Sequence, residues 1–174
     1  MIDSVRLRRV LGRYPTGVVV IAAMSDGEPH GFTVNSFTSV SLDPPIVGFC
    51  AAHTSTTWPR IRDAGAFTIS VLGVGQADVC RSFSAKGSDR FAGVEWSAPD
   101  GGHPAIGGAL AWLDCVMSVC HVVGDHELIL ASVVAMTTNE VDDDPLVFHG
   151  GRLGRMCAES LAAAPAGRGC HPGW

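Results

Sequence analysis

Apolar positions along the chain run mostly in short bursts, and their spacing changes from segment to segment. Between Asp3 and Arg13, Val5, Val10 and Leu11 fall among arginines, the spacing of a short amphipathic helix. Pro15-Thr16-Gly17 stops it. The run Gly17 to Met24, GVVVIAAM, is apolar at nearly every position and rich in β-branched residues, which predicts a buried strand. SDGEP reads as a turn, making a hairpin with a strand from Gly31 to Val40. Asp43-Pro44-Pro45 breaks that strand, and Ile46 to Ala52 forms the next.

TSTTWPRIRDAG opens with helix-capping hydroxyls and closes at Ala64-Gly65, the pattern of a short helix. AFTISVL is a strand, GQADVCRSFSAKG a short helix running into a loop, and EWSAPDGGHPAIGG irregular. From Ala109 two long β-rich stretches follow, joined by a tight Gly124-Asp125-His126 corner. PLVFHGGRLGRM adds a short strand pair. The last residues, 157–174, have the Ala/Gly/Pro composition of a disordered end. Many strands, few helices and no βαβ alternation predict a mainly β antiparallel barrel with helical additions, and no repeat of solenoid length is present.

The chain has 174 residues, enough for one domain with a sizeable core. Charged residues make up only 17%, against roughly 25% in typical domains. A charge-poor surface points to burial against a partner subunit. The net charge of −5 provides no basic field for nucleic acid. The longest early apolar run, Val18 to Met24, is too short to span a bilayer, and the charged N-terminus lacks the apolar stretch of a signal peptide, so a cytoplasmic protein is expected. The six cysteines, Cys50, Cys80, Cys115, Cys120, Cys157 and Cys170, form no C-x-x-C pair and are read as free thiols. Cys115 and Cys120 are an odd number apart and should face opposite sides of a regular strand, which argues against a shared metal site.

The seven histidines show no metal-ligand spacing, and G-x-S-x-G, P-loop and G-x-G-x-x-G motifs are absent. Chemistry in such a chain would be carried by a cofactor. Three segments suit one. Thr33-Val34-Asn35-Ser36 places neutral hydrogen-bonding groups on a strand, able to meet the polar edge of a planar heteroaromatic ring without burying charge. Ser55, Thr56 and Thr57 would open a helix, where free N–H groups favour a phosphate. Lys86 and Arg90 bracket Gly87 in a loop, ready to face an anion. Each alone is usually a solvated edge, a cap or a surface cation; together and in order they carry more weight.

The segments RRVLGRYPTGVVVIAA, GEPHGFTVNSFTSVSLDPPIV, STTWPRIRDAGAFTISVL, RSFSAKGSDRFAGVEW, GALAWLDC, GDHELILASVV and PLVFHGGR resemble, in order and spacing, the short-chain flavin reductases. These are reductase components of two-component flavin-dependent monooxygenases, built on an FMN-binding split barrel. The resemblance implies one such domain over residues 1–156, with 157–174 as a tail. It implies FMN or FAD as the flavin and NADH or NADPH as reductant. It also implies a homodimer and a monooxygenase partner supplied with reduced flavin.

By the same resemblance, Thr33, Val34, Asn35 and Ser36 line the isoalloxazine, and Cys50 and Ala51 continue that wall. Ser55 and Thr57 fall at the flavin phosphate, Ser84, Ala85 and Lys86 on a second phosphate-side loop, and His126 beside the nicotinamide as the catalytic candidate. One departure stands out: where the family often has His-x-Gly-Arg-Tyr, this chain reads His149-Gly150-Gly151-Arg152-Leu153, losing an aromatic and its hydroxyl. FMN and FAD both remain open, as do NADH and NADPH, since Arg60, Arg62, Arg81 and Arg90 are all candidates for a 2′-phosphate. A flavin carrier without turnover is the alternative on the same barrel, and a plain interaction domain, its Ser/Thr strand pairing with a partner, is the other.

Overall fold

A computed structural model describes residues 2–87, 89–99, 102–140 and 143–156. The expected tail at 157–174 lies outside the described residues. The elements run α1 (Ser4–Leu11), β1 (Thr16–Gly17), β2 (Val19–Ser25), β3 (Glu28–Val34), β4 (Thr38–Leu42), β5 (Pro45–Ala52), α2 (Trp58–Ala64), β6 (Ala66–Val71), α3 (Ala77–Ser84), β7 (Trp96–Ser97), β8 (Ala105–Ile106), β9 (Ala111–Val123), β10 (His126–Thr138), β11 (Leu146–His149) and β12 (Arg152–Arg155).

Seven strands form one sheet in the order β3-β2-β6-β9-β10-β5-β4, every pairing antiparallel. The sheet curls until its ends approach: Phe32 of β3 meets Phe49 of β5 edge-on, ring centroids 6.5 Å apart. This is the expected antiparallel split barrel. β1, β11 and β12 make a separate small sheet.

β2 is apolar at nearly every position because both its faces are covered. Val19, Ile21 and Ala23 enter the barrel core around Phe49, Trp58 and Phe67. Val18, preceding β2, and its residues Val20 and Ala22 enter a second core under α3, with Phe83, Phe91 and Leu146. A strand buried on both faces loses the alternation of a half-exposed one. Phe49 anchors the first core, its ring 5.5 Å from Trp58 and 5.6 Å from Phe67, both edge-on. Truncating so large a buried ring typically costs about 3–5 kcal/mol.

Asp26 and Gly27, both at positive φ, make the two-residue turn between β2 and β3, so β3 starts at Glu28 rather than Gly31. The strand expected from Gly31 to Val40 is two strands: β3 ends at Val34, and Asn35, Ser36 and Phe37 cross to β4. The irregular stretch after Glu95 contains a small ladder, β7 against β8.

The β9–β10 hairpin carries two bulges. Ser118 is an extra residue on β9, between the pairs Leu130–Val119 and Ala131–Met117; Val134 is an extra residue on β10. The first bulge overturns the parity argument for Cys115 and Cys120. With one residue inserted between them, both face the barrel core, Cys115 buried within it and Cys120 packed against it. Among the described residues no cluster of His, Cys, Asp and Glu could hold a metal ion, and no helix is long and apolar enough to cross a membrane.

Candidate functional site

Where β3 gives way to its loop, the backbone turns across the end of β5 and side-chain hydroxyls fix the crossing. Ser36 Oγ accepts the Cys50 N–H at 2.9 Å and donates to the Cys50 carbonyl at 3.3 Å. Ser84 donates to the Cys80 carbonyl at 2.7 Å, so in its 2.6 Å contact with Thr33 it accepts the Thr33 hydroxyl proton. This chain of hydroxyls ties the end of α3 to β3. Gly31 permits the close approach: a Cβ there would lie 2.6 Å from Cε1 of Phe83.

Between these elements lies a cleft of about 640 Å³. Thr33, Asn35, Ser36 and Cys50 line it from β3, its following loop and β5, Ser84, Lys86 and Arg90 from the end of α3 and the segment after it, and His126 from the start of β10. An apolar recess of about 460 Å³ adjoins it, sharing Thr33, Val34, Asn35 and Ser84. Leu153 and Phe148 face that recess as cross-strand partners. The departure from the aromatic at position 153 therefore falls beside the cleft.

Strand alternation sorts the expected residues. Cys50 and Ala52 line the cleft, whereas Ala51, 1% exposed, points into the barrel core. The wall thus continues through Ala52, one position beyond the expected Ala51, as the alternation from Cys50 requires. Ser55 lines the cleft together with Thr54 and Thr56. Thr57 instead lines an adjoining polar pocket, and Ala85 lines the apolar recess.

The first amides of α2 itself are taken up locally. Its first N–H, on Trp58, goes to Ser55 Oγ at 3.1 Å; Pro59 has none; those of Arg60 and Ile61 reach the Thr57 carbonyl at 3.1 and 3.4 Å. Positive charge at this end comes from side chains. Arg90 is tied down by its own hydrogen bonds: Nε to the Ala85 carbonyl at 3.0 Å, Nη1 to the Gly31 carbonyl at 2.7 Å and to Thr57 Oγ1 at 2.8 Å. Burial lowers its pKa, from a starting value so high that it stays a cation. The sequence marks Arg90 only as a loop cation; its three hydrogen bonds depend on tertiary contacts.

At the β9–β10 corner, Gly124 (φ +64°) and Asp125 complete the turn, and His126 is the first residue of β10. Asp125 Oδ1 lies 2.7 Å from His126 Nδ1. That hydrogen bond holds the Asp125 carboxyl below its usual range. With Nδ1 donating to the carboxylate, Nε2 is the ring atom left to meet a ligand.

The arrangement suits a flat, neutral ring system with an anionic tail. Its lining offers uncharged hydroxyl, amide and backbone groups for such a ring, the cations Lys86 and Arg90 for such a tail, and one imidazole, His126. Residues 11–156 match the family model described as flavin reductase like domain. A flavin reductase of Pseudomonas putida is 42% identical over 158 residues, covering 90% of this chain and 92% of that protein. The solved structure of nitrilotriacetate monooxygenase component B from Mycobacterium thermoresistibile superposes with a TM-score of 0.90 at 36% identity, covering 93% of this chain and 91% of that one. The Streptomyces globisporus NADH:FAD oxidoreductase, solved with NAD and FAD fragments, gives 0.84 at 38% identity, covering 91% and 96%. A shared barrel and a match across almost the whole described chain make this protein a member of the flavin reductase like domain family.

Proposed function

We infer that this protein is an NAD(P)H-dependent flavin reductase that takes FMN or FAD as a diffusible substrate and supplies it, reduced, to a partner monooxygenase. The observation that carries this reading is the cleft's division into a neutral hydrogen-bonding wall, a cationic end and a single imidazole, in a chain of this family. Bound NAD(P)H supplies a hydride, which leaves its nicotinamide C4 for the flavin N5 as the nucleotide is oxidised and the flavin reduced.

The chain's own contribution is orientation. Thr33, Val34, Asn35, Ser36 and Cys50 present uncharged groups to the flavin ring edge, and Ala52 completes the wall. Ser55, Lys86 and Arg90 hold the phosphate. His126, oriented by Asp125, meets the nicotinamide. Ala51, Thr57 and Ala85 support these groups from the core, from the Arg90 hydrogen bond and from the adjoining recess. Because few fixed charges grip the ring, reduced flavin can leave.

The catalytic unit spans residues 1–156 and works as a homodimer in the cytoplasm. Exposed apolar side chains support the dimer: no residue of α1 is buried, and Val134 and Met136 on β10 are 64% and 80% exposed. The described cysteines, Cys50, Cys80, Cys115 and Cys120, are all free thiols, in keeping with a reducing compartment.

Steady-state oxidation of NADH and of NADPH, with FMN and then FAD added, tests the reading. Turnover saturating in free flavin is the expected result. A flavin that raises the melting temperature without supporting turnover would make the protein a carrier.

A further inference from the structure

Glu127 follows His126 on β10, so the two side chains leave opposite faces of the strand. His126 lines the cleft; Glu127 turns toward the barrel core, its side chain only 15% exposed. A carboxylate so placed needs partners, and three converge on it. Oε2 accepts the Trp58 Nε1–H at 2.5 Å and the Cys120 S–H at 3.0 Å, and Oε1 accepts from Arg62 Nη1 at 3.4 Å. Arg62 also reaches Asp63, its neighbour, at 3.4 Å. These bonds hold the Glu127 carboxyl below its usual range, the Trp58 indole contributing most.

Two of the three partners belong to α2. Trp58 is its first residue, and its ring is otherwise enclosed by Phe32 and Phe49. The backbone leading into Trp58 is the cleft-lining segment 54–57. Ser55 binds the Trp58 N–H, and Thr57 accepts from Arg90. A continuous path of contacts runs from Glu127 through Trp58 to Ser55, Thr57 and Arg90. No link in it requires Glu127 to touch a ligand.

We propose that Glu127 is a positioning residue for the phosphate end of the flavin site: by clamping Trp58 and Arg62 to β10, it sets where segment 54–57 and Arg90 stand in the cleft. The proposal rests on the flavin reductase reading and adds a residue that the cleft itself does not display. An apolar residue would fill the space but leave the Trp58 indole N–H without its acceptor; the carboxylate fixes which way the indole points.

The test compares the parent with Glu127→Gln, Trp58→Phe and the double variant. Flavin Kd is read by fluorescence quenching, with KM for FMN and NADH, kcat and melting temperature alongside. In both single variants flavin Kd and KM should rise about ten-fold, the size expected from losing a hydrogen bond to a charged group. The KM for NADH and the kcat at saturating flavin should stay within about two-fold of the parent. The double variant should be little worse than Trp58→Phe alone, since Glu127→Gln weakens, by removing the charge, the same link that Trp58→Phe cuts. Trp58→Phe removes the indole N–H together with part of the buried ring, keeps an aromatic in its place, and carries the test if Glu127→Gln does not fold. A lowered melting temperature with flavin Kd unchanged in the folded variants would overturn the proposal, leaving Glu127 a fold clamp alone. An equal loss in kcat would overturn it too, by placing Glu127 in the transfer step. A parent that binds no flavin would instead sink the reductase reading, a failure visible before any variant is made.

Discussion

Thr57 and Arg90, 33 positions apart in sequence, are joined by a 2.8 Å hydrogen bond from Nη1 to Oγ1, and the same nitrogen reaches the Gly31 carbonyl at 2.7 Å. One guanidinium thus ties together the segment before α2, the middle of β3 and, through Nε, the loop after α3. Those are three of the pieces that bound the cleft. Arg90 serves the site as a charge and as a brace.

Replacement by lysine should separate those two roles. Arg90→Lys keeps the positive charge but cannot make the forked set of bonds. Each lost bond from a charged donor is worth about 1.5–3 kcal/mol. The expected result is a lowered melting temperature together with a flavin Kd at least about ten-fold weaker. Calorimetric titration with FMN and thermal melts would measure both.

Gly31→Ala should act at a distance from any ligand. The new methyl would lie 2.6 Å from Phe83 Cε1 and 3.2 Å from Phe91 Cζ. Overpacking of this kind costs about 1–3 kcal/mol. Phe83 must yield, and Ser84 beside it should move away from Thr33. Denaturant unfolding checks the stability, and a weaker flavin Kd would report the displaced hydroxyl.

His126→Ala should slow hydride transfer while sparing flavin affinity, because the proposed role of the imidazole is to meet the nicotinamide rather than the flavin ring or phosphate. Single-turnover mixing of NADH with flavin-loaded protein should show a rate reduced by about 10²-fold or more, the usual contribution of a positioned side chain. Equal loss of rate and flavin affinity would move His126 into the flavin's own wall.

Acid should erase the advantage of Glu127. Its carboxyl is depressed from the ordinary 4.5 in the folded state. The stability it contributes is therefore full above that ordinary value and is lost as pH falls through the depressed folded one. At neutral pH the parent should melt above Glu127→Gln, and the gap should close as pH drops well below 4.5. Melting curves across that range provide the comparison. A gap independent of pH would show that the charge contributes nothing.

The thiols should divide by position. Burial, followed by the nearby Asp114 charge, pushes Cys115 up to about 12, and burial followed by the Glu127 hydrogen bond pushes Cys120 up to about 11. Both should resist alkylation at neutral pH, where thiolate is scarce. Cys50 lines the cleft and should be alkylated faster, and added FMN should protect it. Mass spectrometry of the peptides containing each cysteine would score all three.

Much of the barrel could be read from pattern because patterns report burial. β2 is apolar throughout since two cores press on it, and the Asp26-Gly27 turn announces its hairpin. What escaped depends on single positions or distant partners. Thr33 to Ser36 reads as one stretch, yet the strand stops at Val34, because Ser36 must turn to bind both backbone groups of Cys50. Ala51 and Ala52 are chemically identical, and only the register of β5 against β10 separates core from cleft. Ser55 and Thr57 have the composition of a phosphate-binding helix start, but Ser55 and Thr57 themselves take up its amides. Arg90 shows no sign in sequence of the three acceptors that hold it.

The two bulges of the β9–β10 hairpin offset one another: Ser118 adds a residue to one strand, Val134 to the other, and the hairpin's two ends stay in step. The consequence is a rule for deletions. Ser118 and Val134 are the unpaired residues, so a chain that loses either one alone brings Leu130–Val119 beside Ala131–Met117, or Val133–Cys115 beside Ala135–Asp114, as successive pairs of one ladder. Cys120 then keeps its face and His126 its partner Val123. What such a chain gives up is the local bend and added twist of that bulge, so an engineer can shorten either strand there without shifting the other.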